Sequence, residues 1–225
     1  QRGAHVVMET YPKLYRLMQS AAGIDELIKV GDAPPAHDFY CPLVSVAAVL
    51  QMNAQSDFDM TAPYLKAPEG AGAKLAPALA ASGHSFKVGI AWSGNVEFSG
   101  DRRKSTSLVT FLPLTGVPGV RLFSLQFGPR AEQIKSLGVG AAIGDLTPLI
   151  DDFADTAVAL AGLDLLISVD TGMVHLAGVL GRPTWVILHP GSDFRWLKER
   201  DDSPWYPSLR LFRMKRQGDW EEVLG

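Results

Sequence analysis

The chain has 225 residues, with 21 Lys and Arg against 24 Asp and Glu, a formal net charge of −3 at pH 7. Hydrophobic residues make up 47% and charged residues 20%, the mix of an ordinary globular domain, which excludes a disordered chain, a collagen-like fibre and a coiled coil. The mild acidity (pI ≈ 6.0) argues against a general binder of nucleic acid or anionic membranes.

In chain order, His5–Met8 reads as a strand and Tyr11–Ser20 as a helix, with Pro12 near its start. Glu26–Val30 and Asp38–Cys41 read as short strands, and Ser45–Gln51 as helical. Cys41 is the single cysteine, so it forms no internal disulfide; its apolar setting predicts an inert core thiol. Ala67–Ser85 is rich in Ala, Gly and Pro and reads as a linker, dividing the chain into units 1–84 and 85–225.

Beyond it the alternation of strands and helices is cleaner. Lys87–Trp92 is a strand, Ser107–Leu114 a helix, Val120–Gln126 a strand, Ala131–Leu137 a helix and Val139–Ile143 a weak strand. Asp152–Gly162 is a helix. Leu163–Val169 is apolar almost throughout, as a parallel strand covered on both faces must be. Gly172–Leu180 is a helix stopped by Gly181 and Pro183, and Thr184–Leu188 is the next strand. The pattern predicts an α/β architecture with parallel sheets: about five strands in the second unit and an incomplete Rossmann-like unit before it. No apolar run nears the roughly 18 residues of a membrane span. No secretory signal is seen, and a cytoplasmic protein is the expectation.

Open parallel sheets bind ligands at the carboxyl ends of their strands. Three such ends carry polar residues: Ser93-Gly94-Asn95, Gln126 with Gly128 close behind, and Asp170-Thr171-Gly172 with His175 one helical turn on. The third has the makings of a phosphate site. A helix N-terminus offers free N–H groups and partial positive charge. Gly172 lets a ligand approach the backbone, and His175 can face the same cleft. Blander readings stand beside this one. Asp170 can be a helix cap alone, His175 a packing residue, and Arg102-Arg103-Lys104 a solvated loop. Yet there is no Lys or Arg between Gly138 and Gly181, so an anion near Asp170 needs charge from Arg102–Lys104. Residues 195–216 hold seven basic and three acidic residues among Trp196, Trp205 and Tyr206. Either these aromatics stack on bases, or they pack the tail against the other unit. There is no Walker A loop, G-x-G-x-x-G or G-x-S-x-G, and His5, His37, His84, His175 and His189 have no metal-ligand spacing.

Several runs resemble a known family. Phe153-Ala154-Asp155-Thr156-Ala157, then Leu163 through Gly172, then His175-Leu176-Ala177-Gly178 and Gly181-Arg182-Pro183 are similar to heptosyltransferase-type glycosyltransferases of family nine. The likeness is to the glycosyltransferase-like domains that end bacterial tetratricopeptide-repeat proteins. It extends to Val88–Asn95, Phe123–Gln126, Arg195-Trp196 and Trp205-Tyr206-Pro207. The resemblance implies a GT-B architecture of two Rossmann-like units, an acceptor side first and a nucleotide-sugar side second. It implies transfer of a sugar from a nucleotide-diphosphate donor to a sugar, lipid or protein hydroxyl, inverting, with no metal and no cofactor beyond the donor substrate. Asp170, Thr171, Gly172 and His175 would surround the donor, Lys104 would contact its phosphates, and Gly94, Asn95 and Gln126 would line the cleft. Upstream tetratricopeptide repeats are implied as a fusion partner. The family's first strand and glycine-rich loop are not found here, so the general base is expected outside this chain. Asp32, Asp38 and Asp57 are present in the first unit, but no spacing selects among them. A non-catalytic nucleotide-sugar-binding or interaction module, and a GT-B-fold epimerase, remain alternatives.

Overall fold

The computed structural model describes residues 3–52, 63–81, 83–97 and 100–224. A two-stranded parallel sheet pairs β1 (Val7–Thr10) with β2 (Glu26–Lys29) around α1 (Pro12–Met18). A six-stranded parallel sheet follows. Its strands are β3 (Phe86–Ala91), β4 (Val120–Ser124), β5 (Ile143–Asp145), β6 (Leu165–Val169), β7 (Thr184–Leu188) and β8 (Leu209–Arg213). Their order is β5-β4-β3-β6-β7-β8. The chain therefore builds outward from β3 in one direction and then, from β6, in the other. The gap between the carboxyl ends of β3 and β6 is the topological switch point, where such sheets bind ligands.

Sequence explains the centre of this sheet. All five residues of β6 are buried, and each of its large aliphatic side chains contributes about 1.5–3 kcal/mol by leaving water. Gly89 in β3 lets the helices close down on the sheet, since a Cβ there would lie 2.6 Å from Leu163 Cδ1. One face is covered by α1, α3 (Leu75–Ala80), α6 (Phe153–Ala161) and α7 (Gly172–Val179), with Leu17, Leu75, Leu160 and Leu176 in one core. The other face carries a 3-10 segment, Leu108–Gly116, then α5 (Gln133–Ser136) and α8 (Glu221–Leu224). Asp152 caps α6 by accepting from the N–H groups of Ala154 and Asp155.

Several expectations are corrected. Residues 38–41 form no strand, and Cys41 is exposed rather than in the core. The segment read as helix over 107–114 is 3-10 and contains Pro113, whose missing N–H breaks an α-helical ladder. The Ala/Gly/Pro-rich stretch carries α3, and its Leu75 and Leu79 are buried against the main sheet. The basic tail adds a sixth strand, β8. Its Trp196 packs with Val174 of α7 and with Val186 and Leu211 of the sheet, while Tyr206 of the same tail meets Tyr64 of the first unit. Asp57 lies outside the described residues. Among those described, no helix is long and apolar enough to cross a membrane.

Candidate functional site

The carboxyl end of β3 is held by Gln126. This side chain is buried, and its Oε1 accepts from the N–H groups of Trp92 (2.9 Å) and Ser93 (2.8 Å). Its Nε2 donates to the carbonyls of Ser93 (3.1 Å) and Phe127 (2.8 Å). Both ends of the amide are engaged by backbone, so Gln126 fixes the loop rather than reaching a ligand. The next residue, Gly94, donates its N–H to Ser105 Oγ at 2.9 Å. Ser105 donates in turn to buried Asp101, whose charge is met by Arg130 at 3.1 Å. This network fixes the short helix α4 (Asp101–Lys104) and carries Lys104 across Gly94. A Cβ on Gly94 would sit 2.9 Å from Asp101 Oδ1 and 3.0 Å from Lys104 Cε, so a bare backbone is required there. Asn95 is exposed, and its Oδ1 accepts from Glu97 N at 3.1 Å.

Beside it, β6 runs out at Asp170, and Thr171 is the N-cap residue of α7. The Thr171 side chain makes no cap hydrogen bond; its Oγ1 instead lies 3.3 Å from Ser168 Oγ. Asp170, the expected cap candidate, leaves the helix amides open. Among the described residues, nothing lies within 4 Å of a Cβ built on Gly172. The turn therefore presents unobstructed backbone with the positive end of an eight-residue helix behind it. His175 sits one turn further, with Nε2 3.9 Å from Asp170 Oδ1. Burial pushes its pKa down, Asp170 pulls it up, and the cations Arg195 and Lys104 push it down again. The imidazole is thus neutral near pH 7.

His189, at the end of β7, belongs to the same neighbourhood. It is buried, its Nδ1 accepts from Gly191 N at 3.1 Å, and burial, Arg103 and Lys104 lower its pKa while Asp170 raises it. Sequence reasoning dismissed it for want of metal spacing. Its position directly after a strand next to β6 is the signal that marks it. Both histidines thus feel the α4 cations, Lys104 in each case and Arg103 as well at His189. One recess of about 670 Å³ lies between Val109, Pro113, Arg216 and Trp220, and another of about 340 Å³ beside Arg121, Phe123 and Asp145. Neither includes the α7 turn.

No protein-family profile matches the chain. It is 30% identical over 145 residues to Protein FlbA of Caulobacter vibrioides, a stretch covering 62% of this chain but 24% of that protein. In three dimensions it superposes on the crystal structure of a family 9 glycosyl transferase from Veillonella parvula, with a TM-score of 0.58 over 93% of this chain and 77% of the other. The fold is GT-B-like. At 14% identity, that likeness establishes the fold alone.

Proposed function

We propose that the chain is the donor-binding part of a glycosyltransferase that takes a sugar from a nucleotide-diphosphate donor to an acceptor hydroxyl, inverting and without a metal. The open N-terminus of α7 at the switch point carries this reading. Its amides at Gly172 and beyond take phosphate oxygens. Lys104 neutralises the departing diphosphate, a role in which a fixed cation lowers the barrier where charge develops. Asp170 accepts from a sugar hydroxyl and His175 donates to an oxygen of the donor. Gly94 and Gln126 shape the floor, and Asn95 lies at its rim. The structural neighbour, itself described as a family 9 glycosyl transferase, supports the reading through its fold.

The test is calorimetric titration with UDP, ADP, GDP and CDP. One of them is expected to bind. Gly172→Ala adds a methyl that meets no atom of the described residues, so the fold should keep its melting temperature. That methyl obstructs the ligand, and loss of one charge-assisted bond, about 1.5–3 kcal/mol, weakens binding roughly ten- to hundredfold. If none of the four binds the wild type, the reading fails.

A second reading is a donor-binding module without turnover. It is favoured by the state of the candidate bases. Asp32 already accepts from Lys29 N at 2.9 Å, and Asp38 lies beside Phe39 and Tyr40, which are 93% and 78% exposed. Inverting transfer needs a base for the acceptor proton, and neither residue is fixed for that task. Release of free sugar from a bound nucleotide sugar, measured on the full-length protein, would reject this second reading.

A further inference from the structure

The Nδ1 edge of His175 is engaged by Tyr206. The ring Nδ1 lies 3.2 Å from Tyr206 Oη, and the Tyr64 phenol interacts in turn with that of Tyr206. The imidazole also stacks on buried Trp196, ring centroids 5.2 Å apart at 17°, and Tyr206 meets it edge-on at 5.8 Å. The approach is close because residue 178 is glycine: a Cβ there would fall 2.4 Å from Tyr206 Cγ. Tyr64 is fixed through its backbone, which donates to Val179 O at 3.2 Å. The ring is therefore clamped on one side, and Nε2 is left on the side of Asp170.

We infer that Tyr206 is a positioning residue that holds His175 as the neutral Nε2–H tautomer, presenting an N–H donor to an oxygen of the bound nucleotide sugar. The inference rests on the donor-binding reading above. The surroundings of the ring support it. The Tyr206 hydroxyl can donate to Nδ1 or accept from it, and the Asp170 carboxylate on the other side of the ring decides between the two. An Nδ1 that accepts carries a lone pair, and the single proton of a neutral imidazole then resides on Nε2. The opposite tautomer would aim the Nε2 lone pair at the Asp170 carboxylate, 3.9 Å away, two electron-rich atoms facing each other. The Nε2–H tautomer turns a positive edge to that carboxylate instead. At 3.9 Å it makes no hydrogen bond to Asp170, so the donor remains for a ligand. The charged groups felt by His175 are Asp170 and Asp193, which favour its protonation, and Arg195 and Lys104, which oppose it with burial. Burial pushes Tyr64 up to about 12 and raises Tyr206 as well, so both phenols keep their protons across the working range.

Nitrogen-15 NMR of histidine-labelled protein at pH 7.5 reads the tautomer directly, with His175→Gln to assign the signal. The wild type is expected to show Nε2–H. Tyr206→Phe keeps the ring against Gly178 and removes only the hydroxyl. It should produce a mixture containing Nδ1–H and weaken the nucleoside diphosphate that binds best by roughly fivefold, the worth of one hydrogen bond. A wild-type Nδ1–H form, or an unchanged spectrum in Tyr206→Phe, overturns the inference; a merely structural tyrosine would leave the tautomer alone. A wild type in the Nε2–H form that binds none of UDP, ADP, GDP and CDP overturns the ligand assignment and supports the tautomer, which separates the two failures.

Discussion

Gln126 ties two strand ends together through four backbone bonds, two accepted and two donated. Replacing it with Leu leaves the N–H groups of Trp92 and Ser93 without acceptors in a buried place. Unsatisfied buried donors cost about 1–3 kcal/mol each, so Gln126→Leu is expected to lose about 2–4 kcal/mol, measured as a fall in the denaturation midpoint. Sequence located this residue, because a polar side chain ending an apolar strand is conspicuous. It could not show the direction of the amide, which depends on the loop after β3. His189 was hidden for a related reason: its partners Arg103, Lys104 and Asp170 come from two other strand ends. The two histidines also set a pH response. His175 and His189 both have folded pKa values below the ordinary 6.5, so the unfolded chain binds more protons between the two values. Their contribution is full above 6.5 and is lost as pH falls through that value toward the folded ones. Denaturation midpoints should drop from pH 8 to pH 5, and His175→Gln with His189→Gln should flatten that slope. An equal slope in the double variant would show that other groups set it.

At the scale of elements, the central pieces were legible because their signals are redundant. β6 is apolar at nearly every position, and α7 begins at a glycine and stops before Gly181, whose φ is +65°. β8 was missed because its sequence, Leu-Arg-Leu-Phe-Arg, lies in a stretch whose basic and aromatic residues read as a tail rather than as a strand. The alternation in fact puts Leu209 and Leu211 into the core and Arg210 outside. Residues 38–41 failed in the opposite way: aromatic and apolar types suggest a strand, but among the described residues no neighbouring strand pairs with them. One inter-element tie was invisible altogether. Arg16 on α1 pairs with Asp152 at 2.9 Å and with buried Asp155. Asp155 also accepts from Gly72 N (2.8 Å) and Asp151 N (3.0 Å). Burial acts to raise the Asp155 pKa, but these bonds and Arg16 outweigh it and hold it below the carboxylate norm. Removing the partner by Arg16→Ala leaves that carboxylate with its two N–H donors. Arg16 is itself 43% exposed, which weakens the pair through solvent screening. The expected loss is about 1–2 kcal/mol, read by chemical denaturation at pH 7. It should shrink below pH 3.8 as Asp155 takes up a proton. A loss unchanged by acid would mean that Arg16 acts through packing alone.

Across the whole molecule, the same tie decides how the chain comes apart. Composition suggested two units separated by a linker over 67–85. Leu17 of α1, Leu65, and Leu75 and Leu79 of α3 nevertheless share one core with α6 and α7. Such a boundary is hard to read from sequence, because Ala, Gly and Pro give the same composition to a tether and to a tightly packed segment. Here Gly72 lets the chain approach α6, since a Cβ would fall 2.5 Å from Val158. Elements that share a core open together, and those without buried side chains open alone. Amides of α1 should therefore exchange with solvent only on global unfolding, with the same free energy as those of β3. Those of α2 (Val46–Val49), which buries no residue, should exchange by local opening. Arg16→Ala should lower the protection of α1 before that of β3. If wild-type α1 exchanges as freely as α2, the first segment is an independent piece resting on the sheet, and the shared core does not couple them.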